Sequence, residues 1–105
     1  MDALDHIRAQ VAADHYEFSL HAEREREDEH ILVQELEESV MGGDLLEDYP
    51  DDPRGPSCLV LGFTGAGRAL HSVWGLLPDG RVRVITVYIP LPPRWVDPRT
   101  RGRRE

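Results

Sequence analysis

Histidine and arginine carry most of the chemistry this sequence can do. Histidine exchanges a proton near neutral pH, and arginine grips phosphate or carboxylate through paired N–H donors. There are five histidines and 12 basic residues, and every one of the 12 is an arginine. The absence of lysine excludes Schiff-base chemistry and the phosphate-binding lysine of a Walker loop. His71 and Arg83 stand in apolar runs, Leu70-His71-Ser72-Val73-Trp74 and Val82-Arg83-Val84. His21 follows Ser19-Leu20 at a helix start. No pair among His6, His15, His21, His30 and His71 shows a metal-ligand spacing such as H-x-x-x-H, so neither metal nor cofactor is expected. Cys58 is the single cysteine, which excludes an intramolecular disulfide and multi-cysteine zinc or iron–sulfur sites. Its apolar neighbours mark it as a small core filler, and its solitude fits a reducing compartment.

The elements that must position these groups can be read from period and punctuation. Asp2 is an N-cap for a helix over 2–14, with Leu4, Ile7 and Val11 on one face. Residues 15–18 form a short link. Ser19 caps a second helix that runs through the charged stretch 23–29 and has too few apolar residues to bury a full stripe. A third helix spans 33–41, with Val33, Leu36 and Val40 on one face, and Gly42-Gly43 stops it. From Asp44 the period changes. A short strand at Leu45-Leu46 ends at Tyr49-Pro50, and strands follow over 57–63, 68–77 and 81–89, joined by Gly65-Ala66-Gly67 and Pro78-Asp79-Gly80. Pro90, Pro92 and Pro93 end the ladder. The layout is α+β, with N-terminal helices packed on a four-stranded antiparallel sheet. It divides into a first helix (1–15), one α+β domain (16–96) and a loose basic tail (97–105) holding Arg99, Arg101, Arg103 and Arg104.

A hairpin turn over 64–67 sets Phe63 opposite Arg68 and Val60 opposite His71. A second turn over 78–80 sets Leu77 opposite Arg81 and His71 opposite Val87. One sheet face then holds Leu59, Leu61, Phe63, Leu70, Trp74, Leu76, Val82 and Val84, a core face. The other holds Cys58, Val60, Gly62, Ala69, His71, Val73, Gly75, Arg81, Arg83 and Ile85. That second face is a floor of small residues with a histidine and two arginines above it. In this register His71 and Arg83 lie about 13 Å apart, spaced to grip neighbouring phosphates of one extended strand.

The chain is 105 residues long, which suits a single domain able to form one core. No run approaches a membrane span and the N-terminus lacks a signal-peptide core, so the expectation is a cytoplasmic protein. The net charge is −8, which disfavours general nucleic-acid binding. It is nevertheless polarised: 17 acids against three arginines over 1–52, and three acids against nine arginines over 53–105. Two uses of that polarity remain open. The halves neutralise each other within one fold, or the basic half meets phosphate.

Several segments together resemble a known prokaryotic family. They are Phe18-Ser19-x-His21-Ala22, Glu47-Asp48-Tyr49-Pro50-Asp51-Asp52, Arg54-Gly55-Pro56-Ser57-Cys58-Leu59-Val60-Leu61-Gly62, Leu70-His71 and Ile85-Thr86-Val87-Tyr88-Ile89-Pro90. Over residues 16–100 the chain is similar to the family called domain of unknown function 4258. Trp74 and His30 depart from its usual residues. The family resembles small ribonuclease toxins of the RelE and BrnT kind, in which helices precede an antiparallel sheet. Relatives are often encoded beside zinc-finger antitoxin-like proteins of the MqsA or YgiT type. The resemblance therefore implies an RNA-binding protein or metal-independent endoribonuclease of a type II toxin–antitoxin module.

Such cleavage activates a ribose 2′-hydroxyl against the adjacent phosphate and needs a base, an acid and a cation. His21 and His71 are the acid–base candidates and Arg83 is the cation. Arg26, Arg54, Arg68 and Tyr88 are the candidates for holding substrate. Each has a plainer alternative. His71 packs in the sheet and bonds a backbone group. His21 pins the loop before its helix. Arg26 sits in a salt-bridged helix, where Arg24 and Asp28 have i,i+4 spacing. Arg54 and Arg68 hold Asp51, Asp52 or Glu47, and Tyr88 is a core-edge tyrosine. Two further readings stand beside the nuclease: a non-catalytic binding module on the same sheet face, and an inactive, self-associating relative whose acidic helices dock on the basic strands of another copy.

Overall fold

The computed structural model describes residues 2–102. Three helices, α1 (Ala3–Ala12), α2 (Leu20–Asp28) and α3 (Val33–Met41), precede four strands, β2 (Asp44–Tyr49), β3 (Ser57–Phe63), β4 (Ala69–Leu76) and β5 (Val82–Tyr88). A short strand β1 (Tyr16–Phe18) lies between α1 and α2, and β6 (Trp95–Asp97) and β7 (Thr100–Arg101) follow β5. The fold is α+β.

The helix starts follow the cap residues. Asp2 accepts from Asp5 N at 2.8 Å, and Ser19 Oγ accepts from Ala22 N at 3.0 Å, each satisfying one of the orphan donors of a first turn. Gly42 is the C-cap of α3. Arg8 of α1 ties down that end, donating to Val40 O at 3.1 Å and to Gly43 O at 2.6 Å. Leu4, Ile7 and Val11 of α1 thus pack into the same core as Leu36 and Val40 of α3. In α2 only Ala22 is buried.

The expected four-stranded antiparallel sheet is five-stranded and mixed. Its order is β1-β5-β4-β3-β2, and β1 runs parallel to β5 with Phe18 opposite Val84. Three residues are too few to show a strand period, so Tyr16–Phe18 reads as a link until Val84 is beside it.

Two details of register also differ from expectation. Thr64 and Arg68 close the β3–β4 turn through backbone and hydroxyl bonds, and Gly67 takes φ 84°. The loop is therefore three residues between that pair, and Phe63 faces Ala69 while Leu61 faces His71. This one-residue slip turns β3 over. Cys58 and Val60, not Leu59 and Leu61, face the helices with Leu70, Trp74, Val82 and Val84. Gly62 goes with them, because the backbone of Ser39 in α3 occupies the place of its missing side chain. A bulge at Ile85 then sets His71 opposite Tyr88 instead of Val87.

Buried residues of all three helices join one core on one sheet face, with α2 running along the outer edge of β5. On the other face, residues 94–102 form a strap. The basic tail, expected to be loose at its end, is as far as Gly102 a β6–β7 hairpin closed by Gly102 N donating to Arg94 O at 2.7 Å. Trp95 is buried against the sheet. Arg103 and Arg104 lie outside the described residues. Among the described residues no helix is long and apolar enough to cross a membrane.

Candidate functional site on the open sheet face

The strap covers only part of the second face. Beside it the sheet floors a groove of about 970 Å³, lined by His21, Glu25, Tyr49, Leu59, Val73, Thr86, Tyr88, Arg94, Arg101 and Gly102. The way α2 meets β5 accounts for His21 being there. Strand β1 covers the outer edge of β5 only as far as Val84, and Ser19 then ties the chain to that edge through Val84 O and Ile85 O. Further along, Glu25 takes over as the edge's partner. Its Oε1 accepts from Val87 N at 3.1 Å and from the Thr86 hydroxyl. The same oxygen lies 3.2 Å from His21 Nε2, one helical turn away. Glu25 is thus fixed by the strand and stands beside the imidazole, which is 69 % exposed. His21 Nδ1 makes no hydrogen bond among the described residues.

His71 occupies a different environment. Its side chain is 0 % exposed. Nε2 lies 2.7 Å from Pro98 O and Nδ1 lies 3.0 Å from Tyr88 Oη. A carbonyl oxygen only accepts, so Nε2 carries the hydrogen and neutral Nδ1 accepts from the Tyr88 hydroxyl. Trp95 packs edge-on against the ring, 4.3 Å between centroids. Burial pushes the His71 pKa below its ordinary value, against the opposing pull of the Pro98 bond. His71 therefore fastens the strap and aims Tyr88, whose own phenol burial pushes up. It shares a face with Arg83, as expected, but the face is closed above it.

The arginines divide by partner. Arg83 bonds Glu17 at 3.1 Å and lines an adjoining groove with Arg54. Arg54 holds Asp52 while its side chain stays 90 % exposed. Arg68 reaches Glu35 at 3.3 Å, away from both grooves. Arg26 donates to Glu23 and Ile31 O and lies over the Phe18 ring, so it braces α2 from behind. Arg24 makes no ion pair among the described residues, and Asp28 is exposed. The acidic stretch 23–29 is accordingly exposed at Arg24, Glu27 and Asp28 and turned inward at Glu25 and Arg26.

On the strap, Arg101 holds Glu47 with two bonds, 2.8 and 2.5 Å, and lies 4.7 Å over the Trp95 ring. That pairing lowers the Glu47 pKa. Burial, helped by the neighbouring Glu47, pushes the Tyr49 phenol up to about 12, so it stays a hydrogen donor. Arg94 is the groove cation with no carboxylate partner among the described residues.

Glu25, Tyr49, Arg94 and Arg101 belong to this groove, and residue reading alone did not single them out. Glu25 has a sequence signal, its i,i+4 spacing from His21. Arg94 and Arg101 have none, because only the strap brings them to the sheet. Among the described residues no three or more His, Cys, Asp or Glu side chains gather where a metal ion could sit.

A family model described as domain of unknown function (DUF4258) matches residues 18–89. The chain belongs to that family. The match begins at the end of β1 and stops just after β5, so within the groove His21, Glu25, Tyr49 and Tyr88 fall inside the DUF4258 segment. Arg94 and Arg101 come from beyond it. Comparison with curated proteins and with solved structures gives no match.

Proposed function

We propose that this protein is a metal-independent endoribonuclease of the small RelE- and BrnT-like toxin kind, with its active centre in the His21 groove. One observation carries the reading. An exposed imidazole stands 3.2 Å, His21 Nε2 to Glu25 Oε1, from a carboxylate that the sheet edge itself fixes, in a groove that also presents Arg94 and Arg101. A positioned base beside guanidinium groups is what 2′-hydroxyl activation requires. His21 takes the 2′-hydroxyl proton. The 2′-oxygen attacks the adjacent phosphorus, and Arg94, which has no carboxylate partner among the described residues, holds the charge that develops on the phosphate. Tyr88, kept protonated by burial, turns its hydroxyl hydrogen from His71 Nδ1 to the departing 5′-oxygen and gives it up there. The products are a 2′,3′-cyclic phosphate and a 5′-hydroxyl end. Arg83 and Arg54 serve flanking nucleotides, and Arg68 and Arg26 serve the fold. The toxin–antitoxin setting, with a zinc-finger partner of the MqsA or YgiT type, belongs to this reading through the family resemblance.

The test is cleavage of single-stranded RNA by the purified protein, freed of any partner, in the presence of a metal chelator. Replacing His21 with glutamine should reduce the rate ~10²–10⁴-fold, the usual worth of a positioned base, while the melting temperature stays close to the parent's. A folded His21→Gln protein that cuts at full rate removes His21 from the mechanism. No cleavage by the parent leaves the groove as a non-catalytic binding site.

A further inference from the structure

The adjoining groove takes no part in the chemistry above. It holds about 350 Å³, within the range of small-ligand sites, and it shares Tyr49 and Val73 with the His21 groove. A ligand longer than one nucleotide therefore passes from one groove into the other. The floor is apolar at Gly75 and Ile85. A Cβ at Gly75 would come 3.0 Å from Ile85 Cδ1, so the Ile85 side chain lies over the buried glycine and a larger residue there would push it up into the groove. The rim carries two guanidinium groups, each with a carboxylate beside it: Arg83 is steadied by Glu17 at 3.1 Å, and Arg54, 90 % exposed, pairs with Asp52 at 3.4 Å. An apolar floor with a guanidinium rim suits a planar ring joined to a phosphate.

We infer that this groove binds the nucleobase and phosphate of the nucleotide next to the pair at the cleaved bond, making it the subsite that selects single-stranded RNA. The inference takes its substrate class from the endoribonuclease reading. The groove accepts an unpaired base against Gly75 and Ile85, with Tyr49 at the junction as the stacking partner. Its phosphate meets Arg83 and Arg54, displacing Glu17 and Asp52 from them. A paired base, tied to its complement, cannot enter.

The experiment uses three probes on the whole protein: inorganic phosphate, a nucleoside 3′-monophosphate, and an RNA tetranucleotide made uncleavable by a 2′-deoxy sugar at the scissile position. The tetranucleotide should shift the amide NMR signals of Gly75, Leu76 and Ile85, which phosphate alone leaves in place. Gly75→Val should weaken tetranucleotide binding about tenfold, a modest share of what one stacked base contributes. Shifts confined to the His21 groove, or unchanged affinity in a folded Gly75→Val protein, would overturn the inference. If Gly75→Val does not fold, the shifts on the parent decide. The two readings fail separately. A parent that binds RNA over Gly75 and cuts none refutes the nuclease and keeps the base site. A parent that cuts RNA with Gly75 and Ile85 undisturbed keeps the nuclease and refutes the base site.

Discussion

Replacing His71 with glutamine is expected to loosen the strap, and the cost can be worked from its contacts. The imidazole makes two hydrogen bonds, 2.7 Å to Pro98 O and 3.0 Å to Tyr88 Oη, and packs edge-on against Trp95 at 4.3 Å. Glutamine can keep one of those bonds. The abandoned partner is part-buried, and leaving it unpaired costs ~1–3 kcal/mol. The aromatic contact adds ~0.5–1.5 kcal/mol beyond its buried area. The loss should total about 2–4 kcal/mol, or roughly 10–25 °C in Tm for a domain of this size. The loss should also depend on pH. Burial holds the His71 pKa below its ordinary 6.5. Below about that pH the unfolded imidazole takes up a proton that the folded one refuses, so the parent loses up to ~1.4 kcal/mol per pH unit and the variant does not. The gap between the proteins should therefore narrow from pH 7.5 to pH 5.5. Glu47, Arg101 and Tyr88 face the ring in both proteins, and none changes charge in that window. Urea unfolding at the two pH values measures the gap. A loss under about 0.5 kcal/mol, or a gap that ignores pH, would refute the assignment of His71 as the strap's fastener.

Two further outcomes follow from the core. Gly62→Ala should abolish soluble expression, because its Cβ would fall on the Ser39 backbone and α3 would have to leave the sheet; a folded variant with parent-like stability in urea would show that α3 is free to move. Cys58 is buried and its thiol is pushed up to about 12 by that burial. It should resist a thiol reagent at pH 8 until the protein is unfolded, and rapid labelling of the native protein would place it at the surface.

The parts of this fold that were legible in the sequence are those written in local chemistry. Asp2, Ser19 and Gly42 mark helix ends because a cap satisfies backbone groups within the same turn. Strands β3 to β5 are legible because their apolar runs are bounded by glycine turns. What escaped depends on distant partners. Strand β1 exists only because β5 lies beside it. The register of β3 turns on whether Thr64 and Arg68 sit inside or outside the closing pair, a choice the Thr64 hydroxyl makes. The bulge at Ile85 leaves no mark in composition. The candidate site divides the same way. His21 was legible from its place after a cap, whereas Arg94 and Arg101 follow three prolines and reach the groove only because Trp95 finds His71.

The polarised charge has a structural use that bears on how this sheet could meet RNA. Acids of the first half hold arginines of the second across the fold: Glu17 with Arg81 and Arg83, Glu35 with Arg68, Asp44 with Arg99, and Glu47 with Arg101. Most of the basic half is thereby neutralised by the chain itself, so the excess negative charge is left mainly on exposed helix surface. A protein with this pattern gains little from non-specific phosphate contact, because a phosphate must displace a carboxylate at most arginines among the described residues. Arg94 is different. It lines the groove beside His21 and is free of any carboxylate among the described residues. An anion approaching the open face meets its least-opposed cation within the same groove as the exposed imidazole. Negative charge on the helices disfavours a polyanion there, so the ion pairs of the fold leave Arg94 as the groove's unopposed cation on the open face.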